Sequence, residues 1–379
     1  MANPGDLDTS FAGDGRQTVN FGGIDAARVV LVQPDGKILV AGRGGLPSSF
    51  AVARLRPNGA LDTTFGSGGK RVVDFGAEDA SVFGAALQPD GKIVLTGDAD
   101  LDVAVARLNP NGALDTTFSG DGTKRFSWGA ISRAQAVRVL PDRKLLLAGL
   151  SGPEGGNMQI ARLNPGGALD PTFGTGGTMP VDFGGDDSGL AMARQANDRI
   201  VVAGRSTVAG AVVARLRANG ALDPDFHGDG RLTLPGGGSA RAVVVQPDRM
   251  IVVAGNASGS EMMIVTRLRP NGSPDTTFNG TGTATIDFAP LADQVAGVAL
   301  QPDGRIVVAG SKQDGGDFAV ARLNVNGSLD ATFGTGGKAT VDFGAAAFGF
   351  ALALQPDGRI LVGGQRTGND VFAVARLLG

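Results

Sequence analysis

One phrase, Leu-Asp-x-x-Phe, recurs seven times along the 379 residues, with proline replacing leucine in the sixth copy. Two other phrases, Gln-Pro-Asp-Gly and Ala-Arg-Leu, recur at the same interval in identical or variant copies. A fixed internal period dictates the architecture of a whole chain. Seven copies of three phrases therefore predict seven equivalent structural units. The phenylalanines of the first phrase are 52 to 55 residues apart, at Phe11, Phe65, Phe118, Phe173, Phe226, Phe278 and Phe333.

Each unit has the pattern of four short strands. Apolar or alternating runs such as "FGAALQ", "KIVLTG", "DVAVARL" and "KRVVDFG" are bounded by Gly, Pro, Asn or Asp. The phrases "QPDG" and "NPNG" place Pro where a turn needs a fixed φ and Gly where φ must be positive. Both predict tight hairpin turns, so consecutive strands pair antiparallel. No run has a sustained helical period, and 62 glycines argue against long helices.

These features predict an all-β fold, a single seven-bladed β-propeller over residues 1–379 with four antiparallel strands in each blade. A β-solenoid is the alternative, but its rungs are shorter and do not need hairpin turns. The sequence starts with the Leu-Asp-x-x-Phe phrase and one strand, and it ends one strand short of a unit. We therefore expect residues 1–22 to supply a closing outer strand for units of about 54 residues that run from 23 to 379. Residues 15–21 should pair with residues 372–377, which would remove two exposed sheet edges.

The repeated phrases resemble the delta-60 family of bacterial β-propeller repeats. The likeness rests on "LDxxF-GxGG", "VDFG", "QPDGKIvvaG" and "AVARLnpnG" and covers essentially the whole chain. It implies the propeller fold and almost nothing about activity, because the family has no established common function. Its members look mostly like secreted or surface proteins of bacteria. The resemblance thus implies a location outside the cytoplasm, with a leader absent from this chain, while a cytoplasmic location stays open.

Composition narrows the classes of partner. The formal charge is −3 and 42% of the residues are apolar, so the chain has no bulk attraction for nucleic acid or anionic membranes. The longest apolar run, residues 345–354, is half of the roughly 20 residues that a membrane helix needs. The absence of Cys excludes disulfides and thiolate ligands. We expect a monomer that binds no nucleic acid and does not insert into membranes.

The arginines of the Ala-Arg-Leu phrase are each accompanied by an aspartate of the Leu-Asp-x-x-Phe phrase. We interpret each aspartate as a cap of the turn after its phrase or as an acceptor for a nearby arginine, which is a structural role. The only histidine, His227, occupies a tolerant turn position, and there is no Tyr or Cys. The usual general base, phenolic nucleophile and histidine metal cluster are therefore missing. The aspartates are Asp8, Asp62, Asp115, Asp170, Asp223, Asp275 and Asp330.

Two connections differ strongly between units, namely the one before the first strand and the one after the second. Strand alternation places both on one rim, at the mouth of the central channel, and variable loops on a rigid scaffold are common binding surfaces. Solvation is the simpler explanation of the acidic residues there. Asp98, Asp100 and Asp102 in "DADLD" resemble the start of a calcium loop, although its glycine and distal Glu are absent. The acidic residues of the rim are Asp25, Glu78, Asp79, Asp98, Asp100, Asp102, Glu154, Asp186, Asp187, Glu261, Asp293, Asp314, Asp317 and Asp370.

The first strand of each unit supplies a second candidate site, in the channel. Counting back five residues from each Gln-Pro-Asp-Gly copy, with the fourth copy starting at Ala196, gives Arg28, Phe83, Gln135, Ala191, Arg241, Ala296 and Phe350. Two residues further back are Ser81, Arg133, Ser239, Gln294 and Phe348. Arginine and phenylalanine at a channel mouth could hold an anionic or aromatic small ligand, or could only fill the channel. The predicted ligand-binding residues are Arg28, Phe83, Arg133, Gln135, Arg241, Gln294, Phe348 and Phe350.

The sequence favours a non-catalytic binding module that presents the acidic rim and the channel mouth to a small molecule, a glycan or a protein. The alternative is an enzyme, a hydrolase or lyase acting on a sugar or small metabolite with rim carboxylates and channel-mouth arginines. A deep pocket with two carboxylates about 5 to 10 Å apart would favour that alternative. A structural spacer with no pocket is the third class. No cofactor is predicted apart from the possible calcium ion.

Overall fold

A computed structural model describes residues 2–152, 156–259, 262–288, 293–312 and 316–379. The described residues form 28 β-strands and no helix. The strands make seven antiparallel four-stranded sheets. The first strand of each sheet contacts the first strands of the sheets before and after it, and the last contacts the first, so the sheets form a closed ring. The predicted seven-bladed β-propeller is confirmed.

The strand bounds repeat from blade to blade. Blades one to three are β2 (Ala26–Val32), β3 (Ile38–Gly44), β4 (Ser49–Leu55), β5 (Lys70–Val73); β6 (Ala80–Leu87), β7 (Ile93–Ala99), β8 (Asp102–Leu108), β9 (Thr123–Phe126); and β10 (Ser132–Val139), β11 (Leu145–Ser151), β12 (Met158–Leu163), β13 (Thr178–Val181). Blades four and five are β14 (Asp187–Arg194), β15 (Ile200–Ser206), β16 (Gly210–Leu216), β17 (Arg231–Thr233); and β18 (Ser239–Val245), β19 (Ile251–Asn256), β20 (Met263–Leu268), β21 (Thr283–Ile286). Blades six and seven are β22 (Asp293–Leu300), β23 (Ile306–Lys312), β24 (Asp317–Leu323), β25 (Lys338–Val341); and β26 (Ala347–Leu354), β27 (Ile360–Arg366), β28 (Val371–Leu377), β1 (Arg16–Val19).

The core lies between neighbouring blades, because the two middle strands of each blade are packed on both faces. In the first blade every residue of β4 is buried. Phe50 and Val52 pack with Val82 and Leu95 of the second blade in one apolar cluster. Small alanines alternate with these larger side chains along the strand, which lets adjacent sheets approach closely.

The Leu-Asp-x-x-Phe phrase fastens each blade to the next. The amide of Gly66, which follows the phrase, donates to the carbonyl of Asn111 in the "NPNG" turn of the second blade at 2.8 Å. Gly112 of that turn has φ +88°, and a Cβ on it would lie 3.0 Å from the ring of Phe65. The corresponding amide donates to the next blade's turn around the whole ring, from Ala12, Gly66, Ser119, Gly174, His227, Asn279 and Gly334.

The chain ends close the ring as predicted. Strand β1 pairs with β28 over four residues, from Arg16 opposite Ala375 to Val19 opposite Phe372. The amide of Gly5 donates to the carbonyl of Leu378 at 2.8 Å, so the two ends of the chain together build the seventh copy of the turn.

The aspartate of each phrase is a buried structural acceptor, and both parts of the predicted role are present. In the first blade Arg54 Nε donates to Asp62 Oδ2 at 2.8 Å, and the amide of Thr64 donates to Oδ1. The guanidinium of Arg54 also lies over the ring of Phe65, 4.8 Å from its centroid. The seven ion pairs are Arg376–Asp8, Arg54–Asp62, Arg107–Asp115, Arg162–Asp170, Arg215–Asp223, Arg267–Asp275 and Arg322–Asp330.

In six blades the aspartate of the Leu-Asp-x-x-Phe phrase also pairs with a second cation, from the first hairpin turn. In the fifth blade Met250 stands where that cation would be. Met250→Lys should therefore place an ammonium near Asp275 and stabilise the fold by about 0.5 kcal/mol, the usual size for a partly exposed ion pair. Chemical unfolding at low and high salt measures this gain, which salt should diminish. Met250→Gln is the uncharged control; an equal gain in that variant would contradict the ion-pair explanation. The six cations are Lys37, Lys92, Lys144, Arg199, Arg305 and Arg359.

Candidate functional site

A β-bulge in the first strand of every blade shapes the channel. The pairing of the first two strands skips one residue at the same place in each blade. A bulge of this kind leaves the extra residue unpaired and changes the direction of its side chain. The skipped residues are Arg28, Phe83, Gln135, Leu190, Arg241, Ala296 and Phe350.

All seven bulge residues line one cavity, which therefore lies on the axis of the ring. The cavity has a volume of about 180 Å³. Gln294, Val295 and Gly349 complete its wall. We call this space the axial cavity. Its described lining residues carry two guanidinium groups and two amides, and no carboxylate.

The prediction of the channel residue is wrong in the fourth blade, where it named Ala191. The fourth hairpin turn begins at Gln195, whose amide donates to the carbonyl of Arg199, as that of Gln33 donates to Lys37 in the first blade. Asp198 adopts φ +62°, the left-handed conformation that glycine has in other copies. Counting from Gln195 gives Leu190, which lines the cavity, whereas Ala191 pairs with Ala203 inside the sheet.

Arg28 is held between two aromatic rings. Its guanidinium carbon lies 4.9 Å from the centroid of Phe83 and 5.2 Å from that of Phe350. Its Nε is buried without a hydrogen-bond partner, and no ion pair joins the side chain to the described part of the chain. Burial lowers the pKa of Arg28, and the charges of Arg133 and Arg43 lower it further, against the opposing effect of Asp98.

Arg241 supplies the second cation of the axial cavity. Its side chain is exposed to the solvent of the channel, and within the described residues it has no hydrogen bond or ion pair. Desolvation by the surrounding wall lowers the pKa of Arg241, and the like charge of Arg205 adds to this effect.

The remaining predicted residues divide between the cavity and its border. Gln294 lines the cavity as expected. Arg133 stacks on the ring of Phe83 at 4.6 Å, and its Nε donates to Asp98 Oδ2 at 2.6 Å, so its charge is already paired. Phe348 is a half-buried residue opposite Gln365 and is not part of the cavity wall.

Several acidic residues of the rim are structural caps that the sequence analysis missed. Asp25, Asp187 and Asp293 are buried. Their Oδ2 atoms accept from the main-chain amides of Phe21, Phe183 and Phe288, and so join the end of an outer strand to the start of the next first strand. The spacing of four or five residues from the aromatic residue to the aspartate was the available signal. Glu154, Glu261 and Asp314, also assigned to the rim, lie outside the described residues.

The three aspartates of the predicted calcium site have other partners. Asp98 accepts from Arg133, as described above, and Arg125 Nη2 lies 3.4 Å from Asp100 Oδ2 and 3.3 Å from Asp102 Oδ2. Asp100 Oδ1 also accepts from the amide of Glu78. Nowhere in the described ranges do three His, Cys, Asp or Glu residues come together in a group that could hold a metal ion. This arrangement does not support the calcium prediction, for which a calcium titration remains the test.

The described residues place no acid–base pair on the axial cavity. Burial raises the pKa of Asp98 and of Asp187, but Asp98 is paired with Arg133 and Asp187 accepts from Phe183. His227 lies in an exposed turn between β16 and β17, with Nδ1 3.1 Å from the carbonyl oxygen of Arg231.

The part of the chain that the structure describes contains no helix of the length and apolarity needed to cross a membrane.

Comparison of sequences identifies one family. The model of a family described as "Domain of unknown function (DUF5122) beta-propeller" matches seven segments, one for each repeat. No curated protein matches the sequence. The matched segments are residues 33–65, 88–118, 140–173, 195–226, 246–278, 301–333 and 355–379.

Several solved structures share the architecture. Virginiamycin B lyase from Staphylococcus aureus is 10% identical, with 96% of this chain and 99% of that chain covered and a TM-score of 0.62. Hydrazine synthase from Kuenenia stuttgartiensis is 14% identical, with 95% and 98% covered and a TM-score of 0.59. YCF48 bound to D1 peptide is 9% identical, with 99% and 97% covered and a TM-score of 0.53. At these identities the likeness shows the fold alone, and the fold serves both enzymes and binding proteins.

Proposed function

Since this chain belongs to the DUF5122 β-propeller family, whose description assigns no activity, we propose a function from the axial cavity: it is a non-catalytic binding module for a small anionic ligand. The variable rim loops would contact the ligand or the larger molecule that carries it. The observation that supports this proposal is that two arginines of one cavity, Arg28 and Arg241, form no ion pair with any carboxylate of the described residues.

The contrast with the seven arginines of the Ala-Arg-Leu phrase gives this observation its weight. Seven arginines of the Ala-Arg-Leu phrase each have an aspartate within 2.8 Å. Arg28, whose Nε is buried, has no such partner among the described residues, and removing a charge from water without compensation is costly. A carboxylate or phosphate in the axial cavity would supply it through charge-assisted hydrogen bonds.

The two rings beside Arg28 favour the same role. Phe83 and Phe350 hold the guanidinium by cation–π contacts, which leave its N–H groups free to donate to a ligand. Less side-chain entropy is then lost when the ligand binds, so the site is preorganised.

Catalysis is the less supported alternative. A hydrolase or lyase that uses carboxylates needs an acid or base within hydrogen-bond reach of the substrate. The described lining of the axial cavity contains no such group, and the rim aspartates with raised pKa values already accept from Arg133 and from a main-chain amide.

A screen of small anions tests the proposal. We expect acetate, benzoate, phosphate or a short diacid to raise the melting temperature, and calorimetry to give one site per chain. Arg28→Met and Arg241→Met should each weaken binding by about tenfold or more, because each removes a hydrogen bond to a charged group.

Arg269→Met, at an exposed position outside the cavity, is the matched control and should bind normally. The proposal would be wrong if no anion of the screen bound, or if both cavity variants bound as tightly as the unmodified protein.

A further inference from the structure

The two cations of the axial cavity come from nearly opposite walls. Arg28 belongs to the first blade and Arg241 to the fifth. In a closed ring of seven, the first and fifth blades are separated by three blades on one side and two on the other. Phe83, Gln135 and Leu190 lie on the longer arc between them, and Ala296 and Phe350 lie on the shorter arc.

Each cation has its own electrostatic surroundings. The like charges that lower the pKa of Arg28 are those of Arg133 and Arg43, whereas the like charge acting on Arg241 is that of Arg205. Arg43 Nη2 donates to Ser48 Oγ, a neutral acceptor, at 3.2 Å. The cavity therefore has a positive group on each of two nearly opposite walls, and we call these its two poles.

The wall between the poles is apolar or neutral. It consists of leucine, alanine, valine and phenylalanine side chains together with the amides of Gln135 and Gln294. A volume of about 180 Å³ is below the roughly 300 to 1,000 Å³ of pockets that hold drug-sized ligands. A ligand that matches this space is short, has an acidic group at each end and is uncharged in the middle.

We infer that the axial cavity binds a short dicarboxylate of about four to six carbon atoms, which lies across the channel with one carboxylate at Arg28 and the other at Arg241. This inference rests on the proposed function and deepens it. The methylene groups would lie against the apolar wall, and the amides could donate to carboxylate oxygens. The aromatic rings beside Arg28 orient one end of the ligand.

Calorimetry on the full chain tests the inference with acids matched in length. Succinate is compared with butyrate, and adipate with hexanoate. We expect each diacid to bind at least about tenfold more tightly than its monoacid, since the second carboxylate adds a charge-assisted contact. Affinity should pass through a maximum with chain length between succinate and suberate, because a ligand that spans two fixed poles has an optimal length.

Arg28→Met and Arg241→Met should each abolish the preference for the diacid. Arg241→Met keeps the contacts of Arg28 with Phe83 and Phe350 intact. The chain-length series needs no variant, so a misfolded variant would not leave the inference untested. Equal affinity for diacids and monoacids would overturn the two-pole inference and keep the proposed anion site. Failure of all these acids and of phosphate to bind would overturn both.

Discussion

Deletion of residues 1–22 should lower the free energy of unfolding by at least about 5 kcal/mol or leave the protein insoluble. The deletion removes strand β1 and exposes the edge of β28. It also removes the fully buried Phe11, whose loss alone costs about 3 to 5 kcal/mol. Arg376 would lose its partner Asp8 and remain as an unpaired cation with little access to solvent.

Chemical unfolding and soluble yield measure this effect. A shorter deletion, of residues 1 and 2 alone, is the control, because it keeps Gly5 and its contact with Leu378. Adding residues 2–22 as a separate peptide should restore part of the stability by strand addition to β28. A truncated protein with an unchanged unfolding midpoint would contradict the closure of the ring by its first strand.

Asp62→Asn should have the second largest effect, a loss of about 3 to 5 kcal/mol at pH 7. Asparagine keeps the shape of the side chain but leaves Arg54 as a buried charge without its anion. Asp74→Asn is the matched control in the same blade, because Asp74 is exposed and, within the described ranges, accepts only from the amide of Gly76. Chemical unfolding of both variants measures the difference.

The loss of unfolding free energy in Asp62→Asn should decrease as the pH falls. Burial opposes ionisation of Asp62, but hydrogen bonds from Thr64 and the charges of Arg54 and Lys37 outweigh it and lower the pKa to about 2. A lowered pKa gives stability that is complete above the unfolded-state value of about 3.9 and disappears as the pH falls through the folded-state value. The difference between Asp62→Asn and the unmodified protein should therefore be constant above about pH 5 and shrink between pH 4 and pH 2. A constant difference across this range would show that the carboxylate charge is not what stabilises the fold.

The fold was predictable because seven copies of each phrase report the same physical constraint. The turn glycines, the alternating alanines and the Arg–Asp pairs each allow one local geometry, and their period fixes the number of blades. The channel residues were predictable by counting, except in the fourth blade. There Ala196 replaces the proline of the six other copies and Asp198 replaces the glycine of four of them, so the start of the copy was misplaced by one residue.

The acidic rim was less predictable, because charge alone does not tell where a side chain points. Asp25 and Asp187 lie in acidic loop sequences of the kind that solvent usually surrounds. Their side chains nevertheless turn inward and accept from main-chain amides. The calcium interpretation of "DADLD" depended on the spacing of its three aspartates within one pair of strands. It could not anticipate Arg125, which comes from the fourth strand of the same blade, or Arg133, which comes from the next blade.

The bulge in each first strand assigns two roles to different residues: one residue lines the channel, and its neighbours hold the sheet together. Most proteins must combine such roles at the same positions. One residue per blade is released from the hydrogen-bond ladder, so its identity can vary from arginine to alanine while the neighbouring residues keep the sheet intact. The ring therefore offers seven independently replaceable positions around one cavity. Redesign of selectivity in this scaffold, by nature or in the laboratory, can proceed at those seven positions without disturbing the blades that hold them.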